Sequence, residues 1–177
     1  MTSTSTSAVA DAGPLIHLSE IGQFQQLHVF NKILVPDAVW VETIGQKRVP
    51  EDDVVSLGSI QRHSLPREEV EKFIRDRELD VLHKGEQECL FLCLQLGVLT
   101  LLTDDLVVRE EAKRLGLTPV GSLGVIIRAY RLERISLTDA ERYLDDLYTI
   151  SSLFVTRTIV ELAVEQLHER MDYSGGS

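Results

Sequence analysis

Five carboxylates lie where a fold of alternating strands and helices commonly gathers catalytic groups, although they are far apart along the chain. They are Asp11, Glu42, Glu86, Asp104 and Asp105. Asp11 directly follows the apolar run 8–10, and the two neighbouring aspartates follow the apolar run 99–103. Several carboxylates cannot all stay ionised in a dry pocket unless a cation joins them. Mg²⁺ and Mn²⁺ prefer oxygen ligands, so the set suggests metal-dependent phosphodiester hydrolysis.

The elements that must position these acids follow from the hydrophobic pattern. The two apolar runs are typical of short strands buried on both faces, and further strands are predicted at 33–35, 60–65 and 118–120. Helical patterns separate them, which predicts a three-layer α/β/α sandwich with a short, mainly parallel sheet of four or five strands. Ligands of such sheets bind beyond the carboxyl ends of the strands. Asp11, Asp104 and Asp105 are expected there, and Glu42 and Glu86 could reach the same cleft from flanking helices.

About seven helices are predicted, and the segment 47–58 is expected to be a loop. The last two helices, over 138–148 and 152–169, lack strands of their own, and Thr138 and Ser151 or Ser152 are their expected N-caps. We expect flexible tails at 1–7 and 171–177 and a single domain over 8–170. Its core is expected at 8–132, with the two last helices as an appendage over 133–170.

Bulk properties limit the function classes. The chain has 177 residues, 44% of them hydrophobic and 26% charged, which is ordinary for one globular domain. Its net charge of −10 argues against broad polyanion binding through a basic surface, yet it leaves room for a nuclease that keeps its acids in one pocket. Cys89 and Cys93 are predicted to be buried thiols rather than metal ligands. No apolar run approaches the roughly 20 residues of a membrane span, so we expect a cytoplasmic protein without a membrane partner.

Five short motifs stand in a fixed order along residues 8–132. They are Asp11-Ala-Gly-Pro-Leu-Ile, Val35-Pro-Asp-Ala-Val-Trp-Val-Glu42, Gly85-Glu86-Gln-Glu88, Thr103-Asp-Asp-Leu-Val-Val-Arg109 and Gly121-Ser-Leu-Gly124. As an ordered set they resemble the PIN-domain family, close to a branch of uncharacterised PIN-like proteins related to VapC toxins. The two terminal helices also fit that branch.

The resemblance implies a Mg²⁺- or Mn²⁺-dependent endoribonuclease, often the toxin of a toxin–antitoxin pair and often a homodimer. It places the acidic, metal-holding roles on Asp11, Glu42, Glu86 and Asp104, with Asp105 as a fifth member. The implied partners are an RNA substrate and a small antitoxin protein. One position departs from the family pattern, because Gly13 stands where the family commonly has a Ser or Thr hydroxyl that would help to hold a ligand or water.

Two further residues are candidates for substrate binding, and two other functions stay open. Arg109 lies one helical turn after Asp105, so it could pair with an acid or contact a phosphate. Thr103 could bond a carboxylate or cap the following helix. A catalytically weak or inactive PIN-like module that acts through a protein partner is the main alternative function. A hydrolase that uses Asp11 as nucleophile is less favoured, since the Asp-x-Asp arrangement usual for that chemistry is absent.

Overall fold

The fold is that of a computed structural model, which describes residues 6–174, with side chains through residue 169. The expected tails therefore lie largely outside the described residues. Where the description reaches them, the structure differs from the expectation. Ser7 already belongs to the first strand, and the last helix continues to Ser174.

A five-stranded parallel sheet forms the middle layer, which confirms the predicted α/β class. Its strands are β1 (Ser7–Ala10), β2 (Lys32–Pro36), β3 (Ile60–His63), β4 (Thr100–Leu102) and β5 (Thr118–Val120), in the spatial order β3-β2-β1-β4-β5. The central strand β1 pairs Val9 with Leu34 on one side and with Leu101 on the other. Because all pairs are parallel, the carboxyl ends of all five strands meet at one edge.

Helices cover both faces of the sheet. Those of the described residues are α1 (Ala12–Glu20), α2 (Asp37–Trp40), α3 (Glu51–Leu57), α4 (Arg67–Arg77), α5 (Lys84–Leu96), α6 (Leu106–Arg114), α7 (Ser122–Arg131), α8 (Leu137–Thr149) and α9 (Arg157–Ser174). A 3₁₀ turn occupies Phe24–Val29, and a π-helical turn over Val41–Gly45 continues α2. Asp11 and Asp105 begin α1 and α6 as N-caps, which fixes both acids at the sheet edge.

The prediction of a loop over 47–58 is wrong from residue 51 onward, where the chain forms α3. Signals for this short helix are present in the sequence. Pro50 precedes it, three acids occupy its first turn, and Gly58 ends it with a left-handed φ of 70°. The N-cap of α8 is Ser136 rather than Thr138, because its side chain accepts the amide hydrogen of Asp139.

The last helix begins at Arg157, five residues later than predicted, with Thr156 at its start. Ser152 does not cap it. Instead, the backbone amide of Ser152 donates to Glu20 Oε2 at 2.7 Å, and its hydroxyl donates to Glu20 Oε1 at 2.9 Å. The linker 150–156 is therefore tied to the carboxyl end of α1.

The terminal helices, expected as an appendage, contribute residues to the main hydrophobic core. Leu144 and Leu147 of α8 and Leu167 of α9 are fully buried, and they belong to the same hydrophobic cluster as Val9 and Leu101 of the central strands. Helix α7 contacts both α8 and α9 and so joins them to the sheet. One continuous core implies that the two last helices unfold together with the rest.

This shared core generates a prediction about stability. Leu144→Ala should lower the free energy of unfolding by about 2–5 kcal/mol, the usual range for a buried leucine. Urea denaturation followed by Trp40 fluorescence measures it, because Trp40 lies on α2, far from the substitution in sequence. Leu162→Ala is the matched control, since Leu162 is 52% exposed on α9 and should change little. An unchanged Trp40 midpoint in Leu144→Ala would instead indicate a separately unfolding appendage.

Candidate functional site

A cavity of about 1090 Å³ opens at the carboxyl-end edge of the sheet. All five acids expected there line it: Asp11, Glu42, Glu86, Asp104 and Asp105. The walls come from the starts of α1, α5 and α6, the π-helical turn after α2, and residues 152–154 of the linker. The fold thus brings acids from five separate motif positions to one place, as expected from parallel strands with helical crossovers.

Asp11 lies deepest in this cavity. It is only 7% exposed, its Oδ1 accepts the amide hydrogen of Ala12 at 2.8 Å, and its Oδ2 accepts the Thr103 hydroxyl at 3.1 Å. Burial raises the pKa of the Asp11 carboxyl from 3.8 to about 6, and the negative charges of Glu86 and Glu42 also raise it against the two hydrogen bonds. An ionised Asp11 is therefore costly in the absence of a counter-charge.

Glu86 and Asp105 each use one carboxylate oxygen to cap a helix. Glu86 Oε2 accepts the amide hydrogen of His83 at 2.8 Å, and Asp105 Oδ1 accepts those of Val107 and Val108 at 2.8 and 3.1 Å. Burial raises the pKa of Glu86, and the nearby charges of Asp105 and Glu42 add to it. The caps hold both side chains in place and leave the second oxygen of each for a ligand.

Glu42 is presented by the π-helical turn Val41–Gly45. Such turns are rare and occur often at functional sites, because the extra residue changes the direction in which side chains project. Glu42 is half-exposed, and its Oε1 lies 3.8 Å from Arg48 Nη1. A Cβ at position 85 would lie 3.1 Å from Val39 Cγ2, so Gly85 permits the close approach of α5 that brings Glu86 towards Glu42.

Asp104 has a different environment from its neighbour Asp105. Ser122 donates to it twice, from the backbone amide to Oδ1 at 2.7 Å and from the hydroxyl to Oδ2 at 2.6 Å. His17 Nδ1 also donates to Oδ2, at 2.7 Å. Both oxygens are thus engaged, and the carboxylate joins α1, the end of β4 and the start of α7. Asp105, by contrast, is the neighbour whose charge acts on Glu86.

His17 and Ser122 were missed as site residues by the sequence analysis. Ser122 lies inside one of the quoted motifs, and His17 is one helical turn after Gly13. A Cβ at Gly13 would lie 3.4 Å from Asp104 Oδ2, the oxygen that His17 contacts. His17 therefore supplies a polar contact close to where a hydroxyl at position 13 would have approached.

Gly121 is a second glycine that packs closely against Asp104. A Cβ at Gly121 would lie 2.7 Å from Asp104 Oδ1 and 3.2 Å from Arg109 Nη1, which is too close for any side chain without a shift. The glycine in the motif Gly121-Ser-Leu-Gly124 is thus required by the close packing of α7 on the end of β4.

Neither candidate substrate-binding residue reaches the open cavity. Thr103 is fully buried and bonds Asp11, so it positions that carboxylate. The Arg109 guanidinium donates to the carbonyl oxygen of Thr103 at 3.2 Å, and the described residues that line the cavity do not include it. The lysine and arginine that do line it are Lys84 and Arg48.

Glu88, one turn into α5, is a third residue that supports the site and that the predicted set left out. It is 7% exposed, and its Oε2 accepts the amide hydrogen of Ala38 at 2.9 Å, which caps α2. Glu88 consequently fixes the two helices that carry Glu42 and Glu86. Its burial on the inner face of α5 follows from a long-range contact and is invisible to local spacing.

The chemistry of the donor set fits a hard divalent cation. The lining acids offer only carboxylate oxygens, and Asp11, Glu42 and Glu86 repel one another. Among the described residues, no group of three or more His, Cys, Asp or Glu side chains could hold a metal ion by itself. Mg²⁺ commonly binds through one or two carboxylates and retains water and substrate oxygens, so a closed cage of protein ligands is not required. Cys89 and Cys93 are fully buried, as predicted, beneath this edge.

Comparison with known proteins supports the resemblance seen in the motifs. A family model described as a PIN domain matches residues 7–169, which include all five strands and nearly all of the helical structure. The match extends beyond the quoted motifs through the terminal helices. No curated protein and no solved structure matches the chain significantly. In the described part of the chain, every helix is too short or too polar to cross a membrane.

The environments of Asp11 and Asp104 predict opposite effects of the same substitution. In metal-free protein, Asp11→Asn should raise the free energy of unfolding, because it removes a buried charge. The pKa of Asp11 is higher in the folded state, so its contribution to stability is present at low pH and is lost as the pH rises from about 4 to about 6. The gain should therefore grow over that interval and level off near 3 kcal/mol at most, roughly 1.36 kcal/mol per pKa unit.

Asp104→Asn is the matched comparison and should lose stability by about 1–3 kcal/mol, because it weakens the bonds from Ser122 and His17. Urea denaturation in EDTA from pH 4 to pH 8 measures both variants. Equal destabilisation by the two substitutions would contradict the assignment of a repelled carboxylate to Asp11.

Proposed function

Since the chain belongs to the PIN-domain family, whose fold is generally that of a nuclease, we propose that it is a Mg²⁺- or Mn²⁺-dependent endoribonuclease. The observation that carries the proposal is the gathering of Asp11, Glu42, Glu86 and Asp105 in one cavity, where burial and the neighbouring carboxylates raise the pKa values of Asp11 and Glu86. Carboxylates that lie close together in a cleft and have raised pKa values are typical of a functional site.

The residues have distinct roles under this proposal. Asp11, Glu86 and Asp105 hold one or two ions directly or through water, and Glu42 does so from the rim. A bound Mg²⁺ or Mn²⁺ would supply an acidified water and neutralise charge on the scissile phosphate. Thr103 and the amide of Ala12 orient Asp11. The two hydrogen bonds from Ser122 to Asp104 hold the start of α7 against the end of β4 at the wall of the cavity.

Electrostatics explain why the chain's own lysine and arginine side chains are insufficient to bind an RNA phosphate at the cavity. The protein carries a net charge of −10, and the acids of the cavity would repel an RNA phosphate. Arg48 lies beside Glu42 and Lys84 lies 3.8 Å from Glu88, so both are partly neutralised where they stand. A divalent cation would offset part of the negative charge at the site, and the two side chains could then assist phosphate binding from the rim.

The decisive variant for this proposal is Asp11→Asn. We expect Mn²⁺-dependent cleavage of single-stranded RNA to fall at least a hundredfold, because the deepest ligand loses its charge while its position is retained. Asp145→Asn is the control, since Asp145 is an exposed acid of α8 outside the cavity lining. Cleavage is measured on a labelled oligonucleotide with Mn²⁺, Mg²⁺ and EDTA.

Calorimetry with Mn²⁺ separates this function from the main alternative. Binding to the wild type and loss of binding in Asp11→Asn are expected. No Mn²⁺ binding and no cleavage by the wild type would favour an inactive PIN-like module that acts through a protein partner. The departure at Gly13 is the sequence feature that favours that second function. Retained cleavage in Asp11→Asn would reject the mechanism.

The proposal extends to the cellular role implied by the resemblance. We propose that the protein is the toxin of a toxin–antitoxin pair, acts in the cytoplasm, forms a homodimer and is held inactive by a small antitoxin. The acidic cavity supports this, because a Lys or Arg of a partner would neutralise the repelled acids. Induced expression of the wild type should arrest growth, and expression of Asp11→Asn should not. Equal growth with both would contradict the toxin role, and light scattering tests the dimer.

A further inference from the structure

The linker 150–156 carries an aromatic ring that the core does not take up. Phe154 is 99% exposed, whereas its neighbours Leu153 and Val155 pack against the core. This alternation turns the ring of Phe154 outward while the backbone around it is anchored. Single exposed apolar side chains are common on protein surfaces, so exposure alone carries no argument. The position of the ring does.

The backbone that presents Phe154 is held on both sides. Ser152 bonds Glu20 of α1 through its amide and its hydroxyl, and the amide of Leu153 donates to the Ser151 hydroxyl at 3.2 Å. The buried side of the linker adds the packing of Leu153 and Val155. The ring therefore projects from a positioned segment and needs little further ordering to bind a ligand.

Phe154 lines the same cavity as the five acids. Two more exposed apolar residues, Leu106 and Val107, line it directly after Asp105, with exposures of 74% and 56%. The cavity thus combines a carboxylate cluster, which could hold a phosphodiester through a divalent cation, with apolar surface suited to a flat, weakly polar group. A nucleotide joins these two chemistries in one molecule.

The charge of the site makes such a contact necessary. A chain with a net charge of −10 gains little affinity for RNA from long-range electrostatics. Stacking of a base on an aromatic ring contributes affinity that does not depend on charge and tolerates any sequence. Only an unpaired base exposes a face for this contact, since paired bases are stacked inside a helix.

We propose that Phe154 stacks on an unpaired base next to the phosphate held at the acid cluster, so that it selects single-stranded over duplex RNA. The inference rests on the proposed nuclease function and deepens it. Phe154 is here a substrate-positioning residue, whose contact sets how the chain lies across the cavity. A protein contact at the same ring is the competing explanation, and the test distinguishes the two.

The experiment compares Phe154→Ala, Phe154→Trp and Ile150→Ala in the full chain. Ile150 is the matched control, because it is 62% exposed on the same linker but does not line the cavity. Dissociation constants are measured by fluorescence anisotropy in Ca²⁺ with labelled single-stranded RNA, with the same duplex, and with a single strand that lacks bases. KM and kcat are measured with Mn²⁺.

The expected result is a rise of about 5- to 100-fold in Kd and KM for single-stranded RNA in Phe154→Ala, the range for one lost stacking contact, with kcat changed less than about twofold. Phe154→Trp should retain binding and show quenched tryptophan emission on adding RNA. Ile150→Ala should match the wild type. The base-free strand should bind the wild type and Phe154→Ala equally. The melting temperatures should agree, since the ring is 99% exposed.

Three outcomes would overturn the inference. Unchanged Kd and KM in Phe154→Ala would show that the ring does not contact RNA, and equal losses with the base-free strand would exclude stacking. Normal RNA binding with altered sedimentation would assign the ring to a protein contact. Cleavage by the wild type with any of these results leaves the nuclease function standing. A wild type that neither binds nor cleaves RNA would instead reject the nuclease function itself.

Discussion

A carboxylate buried at the end of the central strand is the constraint on which this site depends. Asp11 loses most of its hydration there, and neither the Ala12 amide nor the Thr103 hydroxyl fully replaces it, because its pKa still rises to about 6. The charges of Glu86 and Glu42 increase the cost. A fold selected for stability alone would place a neutral residue at such a position. An ionised Asp11 therefore carries a free-energy cost in the folded protein, and the proposed cation would reduce that cost.

Asp104 and Asp105, which line the cavity with Asp11, are adjacent in sequence but have different hydrogen-bond partners. Asp105 caps α6 and its charge acts on Glu86, whereas both oxygens of Asp104 accept hydrogen bonds from His17 and Ser122. Asp104 consequently holds three elements together. The same residue type thus serves chemistry or architecture according to which donors surround it.

The terminal helices contribute to function through packing. Because α8 and α9 share the core with the sheet, the linker between them is drawn across the site edge, where Glu20 fixes it. An appendage hinged on the surface could not hold residues 152–154 at the cavity. Gly85 and Gly121 also shape the site, since a Cβ at position 121 would lie 2.7 Å from Asp104 Oδ1 and one at position 85 would press on Val39 at 3.1 Å. The shape of the cavity is thus set by contacts outside it.

The sequence by itself determined the strands, most helices and the edge at which the acids collect. Strands buried on both faces leave continuous apolar runs, and caps such as Asp11 and Asp105 are local signals. Only the tertiary structure decided that Ser122 donates to Asp104 and not to Asp105, that His17 bonds a residue 87 positions away, and that Ser152 bonds one 132 positions away. It also decided the π-helical turn under Glu42. These features depend on donors and packing partners supplied by distant segments, and no local spacing carries that information.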